Sequence, residues 1–181
     1  MIRIGVSNYL ATVQRSLENC APSISLAIDM IVKNSRAGRI LWVLGNGGSL
    51  AIAQHFAQDL LKLGNVRAIA INCPSLISAY ANDDGFENVY FNPLSKLRTR
   101  DDLVMIFSCS GSSRNYEKFM AAGSIPIISV VGTNGGFLKQ NSDLFIHVKT
   151  PDYQVAETAF CVIADLILKN LMFKNERKSR K

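Results

Sequence analysis

Six consecutive positions, Ser108-Cys109-Ser110-Gly111-Ser112-Ser113, carry four serine hydroxyls, a thiol and a glycine directly after an apolar run. Short hydroxyls and backbone amides at such a corner suit a phosphate or a sugar hydroxyl. A plain polar loop with Ser113 as the next helix cap is the other reading, commoner for one serine than for four. A second stretch, Gly45-Asn46-Gly47-Gly48-Ser49, also follows an apolar run and precedes a helical pattern reaching Leu63. Its glycines let the chain turn sharply and let a ligand approach the backbone. Ser49 is placed as the N-cap of the helix, whose unsatisfied N–H groups and dipole favour an anion. An ordinary strand-to-helix connection, with glycines serving only the turn, is the alternative. Three familiar chemistries lack support. The chain has no GxxxxGK[ST] phosphate loop, GNGGSL lacks the third glycine of GxGxxG, and no G-x-S-x-G elbow is present.

The elements that must position these corners follow from hydrophobic period. Val6 to Glu18 carries a helical stripe, and Pro22-Ser23 opens a second helix that ends near Ala37-Gly38. Apolar, strand-length runs are predicted at Ile40–Leu44, Val66–Ile71, Leu103–Phe107, Ile125–Val131 and Leu144–Val148. Between them fall the helix after Ser49, a short helix from Ser75, the polar turn Ala81–Gly85, and Phe86–Leu97 interrupted near Pro93. A brief helix spans Tyr116–Ala122 and a long one Tyr153–Phe173. Uniformly apolar strands alternating with helices predict an α/β fold, a single three-layer domain around a parallel sheet. In open sheets of this kind ligands sit beyond the carboxyl ends of the strands, where both chemistry-bearing corners fall.

Composition narrows the class. The 181 residues are 48% apolar and 19% charged, which fits one globular domain. No apolar run approaches bilayer length, and four widely spaced cysteines suggest neither a disulfide framework nor a zinc module, so a cytoplasmic location is expected. Much of the net charge of +6 lies in residues 174–181, read as a flexible basic tail. Without an aromatic-interleaved basic face, neither nucleic acid nor membrane is an expected partner.

Gly45–Ser49, then Ala53-Gln54-His55-Phe56-Ala57-Gln58-Asp59, then Ala81-Asn82-Asp83, then the serine cluster, together resemble the SIS (sugar isomerase) domain, and more narrowly the phosphoheptose isomerases. The similarity covers nearly the whole chain, with residues 1–38 as a helical extension at an oligomer interface and 39–173 as the SIS domain. It implies a five-stranded, flavodoxin-like parallel sheet flanked by helices, a homotetramer, and sites completed by a neighbouring subunit. It also implies conversion of sedoheptulose 7-phosphate to a heptose 7-phosphate for bacterial surface polysaccharides such as lipopolysaccharide. On the resemblance, Asn46, Gly47, Gly48, Asn82 and Asp83 hold sugar, and Ser108, Cys109, Ser110 and Ser113 hold phosphate. Cys109 stands where the family usually has threonine.

The catalytic end is less faithful to the family. The helix after GNGGS usually carries His and Glu four residues apart as zinc ligands; here these are His55 and Asp59. The last helix usually supplies Gln and, eight residues on, His, but no histidine follows His147. One register places Glu157 and Asp165 at those positions; a slip of one residue places Ala156 and Ala164 there and leaves no site. The first keeps Leu166 and Ile167 at apolar positions and is preferred. His55, Asp59, Glu157 and Asp165 would then form a one-histidine, three-carboxylate set for zinc or a harder divalent ion. Otherwise Asp165 is an ordinary helix residue and His55 a satisfied, partly buried one. No nucleotide is expected.

Two functions follow. In the first, the protein is an aldose–ketose isomerase of a sugar phosphate. Asp59 is then the first candidate base and Glu157 the second, with His55 beside them. In the second, it is a non-catalytic phosphosugar sensor or partner-binding protein, like family members that assist the bacterial replication initiator. Phosphosugar binding is common to both.

Overall fold

The computed structural model describes residues 4–121 and 125–179. Helices α1 (Val6–Leu17) and α2 (Ala21–Arg36) lead into β1 (Leu41–Gly45), α3 (Gly48–Lys62) and β2 (Ala68–Ala70). Then come α4 (Pro74–Asp83), a 3-10 turn (Phe86–Asn88), α5 (Phe91–Leu97), β3 (Leu103–Ser108) and α6 (Arg114–Ala121). The chain closes with β4 (Ile127–Val131), α7 (Gly136–Asn141), β5 (Leu144–His147) and α8 (Tyr153–Ser179).

All strand pairs are parallel, in the order β2-β1-β3-β4-β5. Alternation along each strand divides the apolar residues between two cores. Leu41, Val43, Leu103, Met105 and Phe107 face a layer made with α1, α2, α3 and α8, centred on Phe56 and Phe160. Trp42, Leu44, Val104 and Ile106 face the opposite layer, built on Tyr90, Leu94, Tyr116 and Phe119. Burial on both faces explains why these strands read as unbroken apolar runs.

The leading helices belong to the first layer. Val13, Ile24, Ala27 and Ile31 join its core, and the Tyr9 hydroxyl lies 2.9 Å from that of Thr158 on α8. At the foot of the sheet Asp102, 2% exposed, accepts hydrogen bonds from Ile40 N, Trp42 Nε1 and Thr99 N, each 3.0 Å. It thereby fixes the start of β1 to the start of β3.

Several boundaries differ from the sequence reading. Ala81, Asn82 and Asp83 end α4 and do not form a turn, because the break comes only at Gly85, whose φ of 91° stops the helix. Pro93 is the third residue of α5, where its missing N–H costs no helical bond, so the interruption falls before Phe91. Helix α6 begins at Arg114 rather than Tyr116, and the expected end at Ala122 lies outside the described residues. Helix α8 runs past Phe173 to Ser179, so no break marks the boundary expected at Lys174.

Candidate active site

The first two strands to meet at the centre of the sheet, β1 and β3, pair over five residues, from Leu41 with Leu103 to Gly45 with Phe107. The chain leaves one strand for the left of the sheet and the other for the right, so a crevice opens above their carboxyl ends. The β1–α3 turn and the β3–α6 loop flank that crevice.

The β1–α3 turn is made by its glycines. Gly47 is the N-cap of α3 with φ 53° and ψ −125°, a conformation that disfavours any Cβ. Gly48 is needed for a different reason. A Cβ there would lie 2.6 and 2.7 Å from the carboxylate oxygens of Glu157. Ser49 is therefore not the cap that the sequence suggested. It is the second residue of α3, 4% exposed, and its hydroxyl donates to Glu157 Oε1 at 3.3 Å.

The β3–α6 loop is shaped by its own hydroxyls. Ser108 Oγ accepts from Gly111 N at 3.1 Å and Ser110 Oγ from Ser112 N at 3.2 Å. Leu138 N donates to Gly111 O at 3.0 Å, which props the loop on α7. The Cys109 side chain turns inward, 4.0 Å from Ser49 Oγ. Burial, and next the nearby Glu157 carboxylate, push its thiol up to about 11. At neutral pH it is a thiol, not a nucleophile.

A cavity of about 140 Å³ joins the two corners, lined by Asn46, Ser49, Ser108, Cys109, Ser113 and Glu157 together with Phe107 and Tyr153. The structure thus brings together three stretches that are far apart in sequence, 46–49, 107–113 and 153–157. A second, outer cavity of about 430 Å³ lies along the α3–α8 seam, with Ile52, Phe56 and Leu168 as floor and His55, Asp59, Cys161 and Asp165 around them. His55 is not a partly buried histidine: 71% of its side chain is exposed, and Nε2 lies 3.4 Å from Asp59 Oδ2.

The expected four-residue metal set is divided between these cavities, with Glu157 in the inner one and His55, Asp59 and Asp165 in the outer one. Among the described residues no group of three or more His, Cys, Asp or Glu is close enough to hold a metal ion. The donors of one chain do not fit the family's metal as they stand. Glu157 is held by Ser49 in the inner cavity, apart from His55, Asp59 and Asp165 in the outer one. Ala156 (0% exposed) and Ala164 (6%) pack in the core.

Asn82 and Asp83 are not gathered either. Both are exposed on α4, and Asn82 Nδ2 donates to Asp83 Oδ1 at 2.7 Å. Ser110, Gly47 and Gly48 are not among the residues lining the inner cavity.

Two positions were missed in the sequence. Asn115, fully buried on α6, pairs its amide with that of Asn46. The Tyr90 hydroxyl donates to Gly45 O at the end of β1, and the Tyr90 ring stacks on Tyr116 at 5.7 Å with an interplanar angle of 3°. Burial pushes Tyr90 up to about 12, so it donates across the physiological range. A polar residue two places after a serine loop was the only signal for Asn115. Nothing local marked Tyr90.

Residues 6–132 match the family model of the SIS domain. A phosphoheptose isomerase of Geobacter metallireducens is 34% identical over 175 residues, covering 90% of this chain and 91% of that protein. The chain belongs to the SIS domain family, in its phosphoheptose isomerase branch. The enzyme of that name from Helicobacter pylori strain P12 is 32% identical over 77% of each chain. A solved phosphoheptose isomerase structure from Francisella tularensis superposes with a TM-score of 0.85 at 23% identity, covering 93% of this chain and 94% of that one, and so matches the fold. As in that fold, the SIS sheet here is five-stranded and parallel. Among the described residues no helix is long and apolar enough to cross a membrane.

Proposed function

We propose that this protein is an aldose–ketose isomerase of a phosphorylated sugar, with sedoheptulose 7-phosphate as the substrate to test first. The observation that carries this reading is the meeting of the Glu157 carboxylate with Asn46, Ser49, Ser108 and Ser113 in one cavity. The names of the curated relatives point the same way. The serine loop takes the phosphate, with its hydroxyls as donors and Cys109 as a wall. Asn46 orients a sugar hydroxyl.

Isomerisation moves one proton between adjacent carbons through an enediol. Glu157 removes the proton from the carbon bearing the hydroxyl and returns it to the neighbour, while the hydroxyl and carbonyl exchange a second proton. No redox partner is consumed. Ser49 holds the carboxylate in place from the turn side. Asp59, the first-ranked base on sequence, is paired with His55 in the outer cavity and takes a supporting role. No step is assigned to a metal.

An inner cavity of about 140 Å³ is smaller than sites that enclose a small molecule, which run to roughly 300 Å³ and more. We therefore read the site as completed by another copy of the chain, in a tetramer. The non-catalytic alternative is less favoured, because the curated relatives are named for the isomerase. Incubation with sedoheptulose 7-phosphate followed by NMR tests the proposal: new aldose anomeric signals are expected, and their absence at high enzyme concentration overturns it.

A further inference from the structure

The side chain that joins the two corners of the crevice is fully buried and does not line the inner cavity. Asn115 Nδ2 donates to Asn46 Oδ1 at 2.8 Å, and Asn46 Nδ2 donates to Asn115 Oδ1 at 3.1 Å. The two amides lie head to tail across 69 positions of sequence. Asn115 is 0% exposed and belongs to α6, directly after the serine loop, whereas Asn46 is half-buried within the glycine turn and lines the inner cavity. A primary amide has two N–H donors and a carbonyl with two lone pairs. Pairing uses one of each on either side. Asn46 keeps one N–H and one lone pair, both on the same side chain whose swivel the pair removes.

We infer that Asn115 is a positioning residue that holds the Asn46 amide ready to both donate to and accept from one sugar hydroxyl. The inference rests on the phosphosugar reading of this site and deepens it by assigning sugar recognition to the amide pair and phosphate recognition to the serines. Only asparagine meets the requirement at position 115. Aspartate of the same shape offers an acceptor where Asn46 Oδ1 needs a donor, so Asn46 is released or turned over. The pair also ties the β1–α3 turn to the β3–α6 loop, which fixes the distance between the sugar end and the phosphate end of the crevice.

The test compares affinities for sedoheptulose 7-phosphate and for inorganic phosphate by calorimetry, with kcat and KM measured alongside. The proteins are wild type, Asn115→Asp, Asn115→Ala, Asn46→Ala and the double alanine variant, with Asn115→Ala taking the place of Asn115→Asp should the carboxylate prevent folding. Loss of one directed hydrogen bond is expected to weaken the sugar phosphate about five- to tenfold, with inorganic phosphate changed less than about twofold. Once Asn46 is alanine, replacing Asn115 as well is expected to change sugar affinity no further. Equal weakening of both ligands, or losses that simply add, would make Asn115 a packing residue and overturn the inference. Wild type that binds the sugar phosphate without converting it overturns the isomerase reading and leaves this comparison standing. Wild type that binds no sugar phosphate overturns both.

Discussion

Replacing Gly48 by alanine separates the position of the Glu157 carboxylate from the stability of the fold. The new Cβ would stand 2.6 Å from Glu157 Oε1, against an ordinary contact distance beginning at 3.4 Å, so the carboxylate must retreat by close to an ångström. The carboxylate is the far end of a flexible side chain, and that retreat is easy. It costs the Ser49 hydrogen bond, about 0.5–1.5 kcal/mol. Alanine in the first turn of α3 gains up to about 1 kcal/mol of helix propensity over glycine. The two nearly cancel, and the melting temperature is expected to move by no more than about 4 °C. Activity behaves differently, since a misplacement of about 1 Å at a reacting group costs on the order of a hundredfold. The assay is kcat/KM on sedoheptulose 7-phosphate beside a thermal melt of the same preparation. Activity within twofold of wild type at unchanged stability would refute the placement of the base. A melting temperature lowered by more than about 10 °C would refute the argument that the clash is easily relieved.

Further outcomes follow from the same geometry. Glu157→Gln keeps an acceptor for Ser49 but not a base, so kcat is expected to fall by about 10² to 10⁴. His55→Ala and Asp59→Asn, confined to the outer cavity, are expected to cost less; an equal or larger loss in kcat/KM moves the chemistry to them. Asp102 is held below the usual carboxylate range: burial opposes its charge, but hydrogen bonds from Trp42, Thr99 and Ile40 outweigh it. A depressed folded value means that its stabilisation is full above the unfolded value of about 3.9 and is lost as pH falls through the lower folded value. Asp102→Asn is therefore expected to cost about 1–3 kcal/mol at neutral pH and to flatten the acid limb of urea-melt stability below about pH 4. An acid limb as steep as that of wild type would sink this assignment. Iodoacetamide at pH 7.5 is expected to modify Cys73 first, because it is exposed and the Ser75 hydroxyl lowers its thiol. Cys20 and Cys109 are buried, with thiols raised by that burial, and labelling of Cys109 ahead of Cys73, read by mass spectrometry, would contradict the site described here.

What could be read from the chain beforehand was whatever had a short-range cause. Strands such as Leu103–Ser108 show themselves because both faces are buried, and the glycine turn because few other residues tolerate its backbone. Ser49 misled because the residue before a helix and the residue within its first turn look alike, while the hydroxyl's true partner, Glu157, is 108 positions away. The metal set misled for a related reason. Spacing along α3 and along α8 places each pair on one helix face, but not at the same height of the seam between them. Asn115 and Tyr90 serve the turn from other elements, through contacts that no local pattern encodes.

The three hydrogen bonds gathered by Asp102 lie at the opposite end of β1 from the crevice. Alignment of the two central strands is thus secured from beneath, without help from the loops above them. Side chains in those upper loops that face the crevice, such as Asn46, can then be changed without loosening the pairing of β1 with β3. A designer seeking to recast this sheet for another phosphorylated sugar should change the sugar end of the crevice around Asn46, keep the phosphate end at Ser108–Ser113, and leave Asp102 untouched.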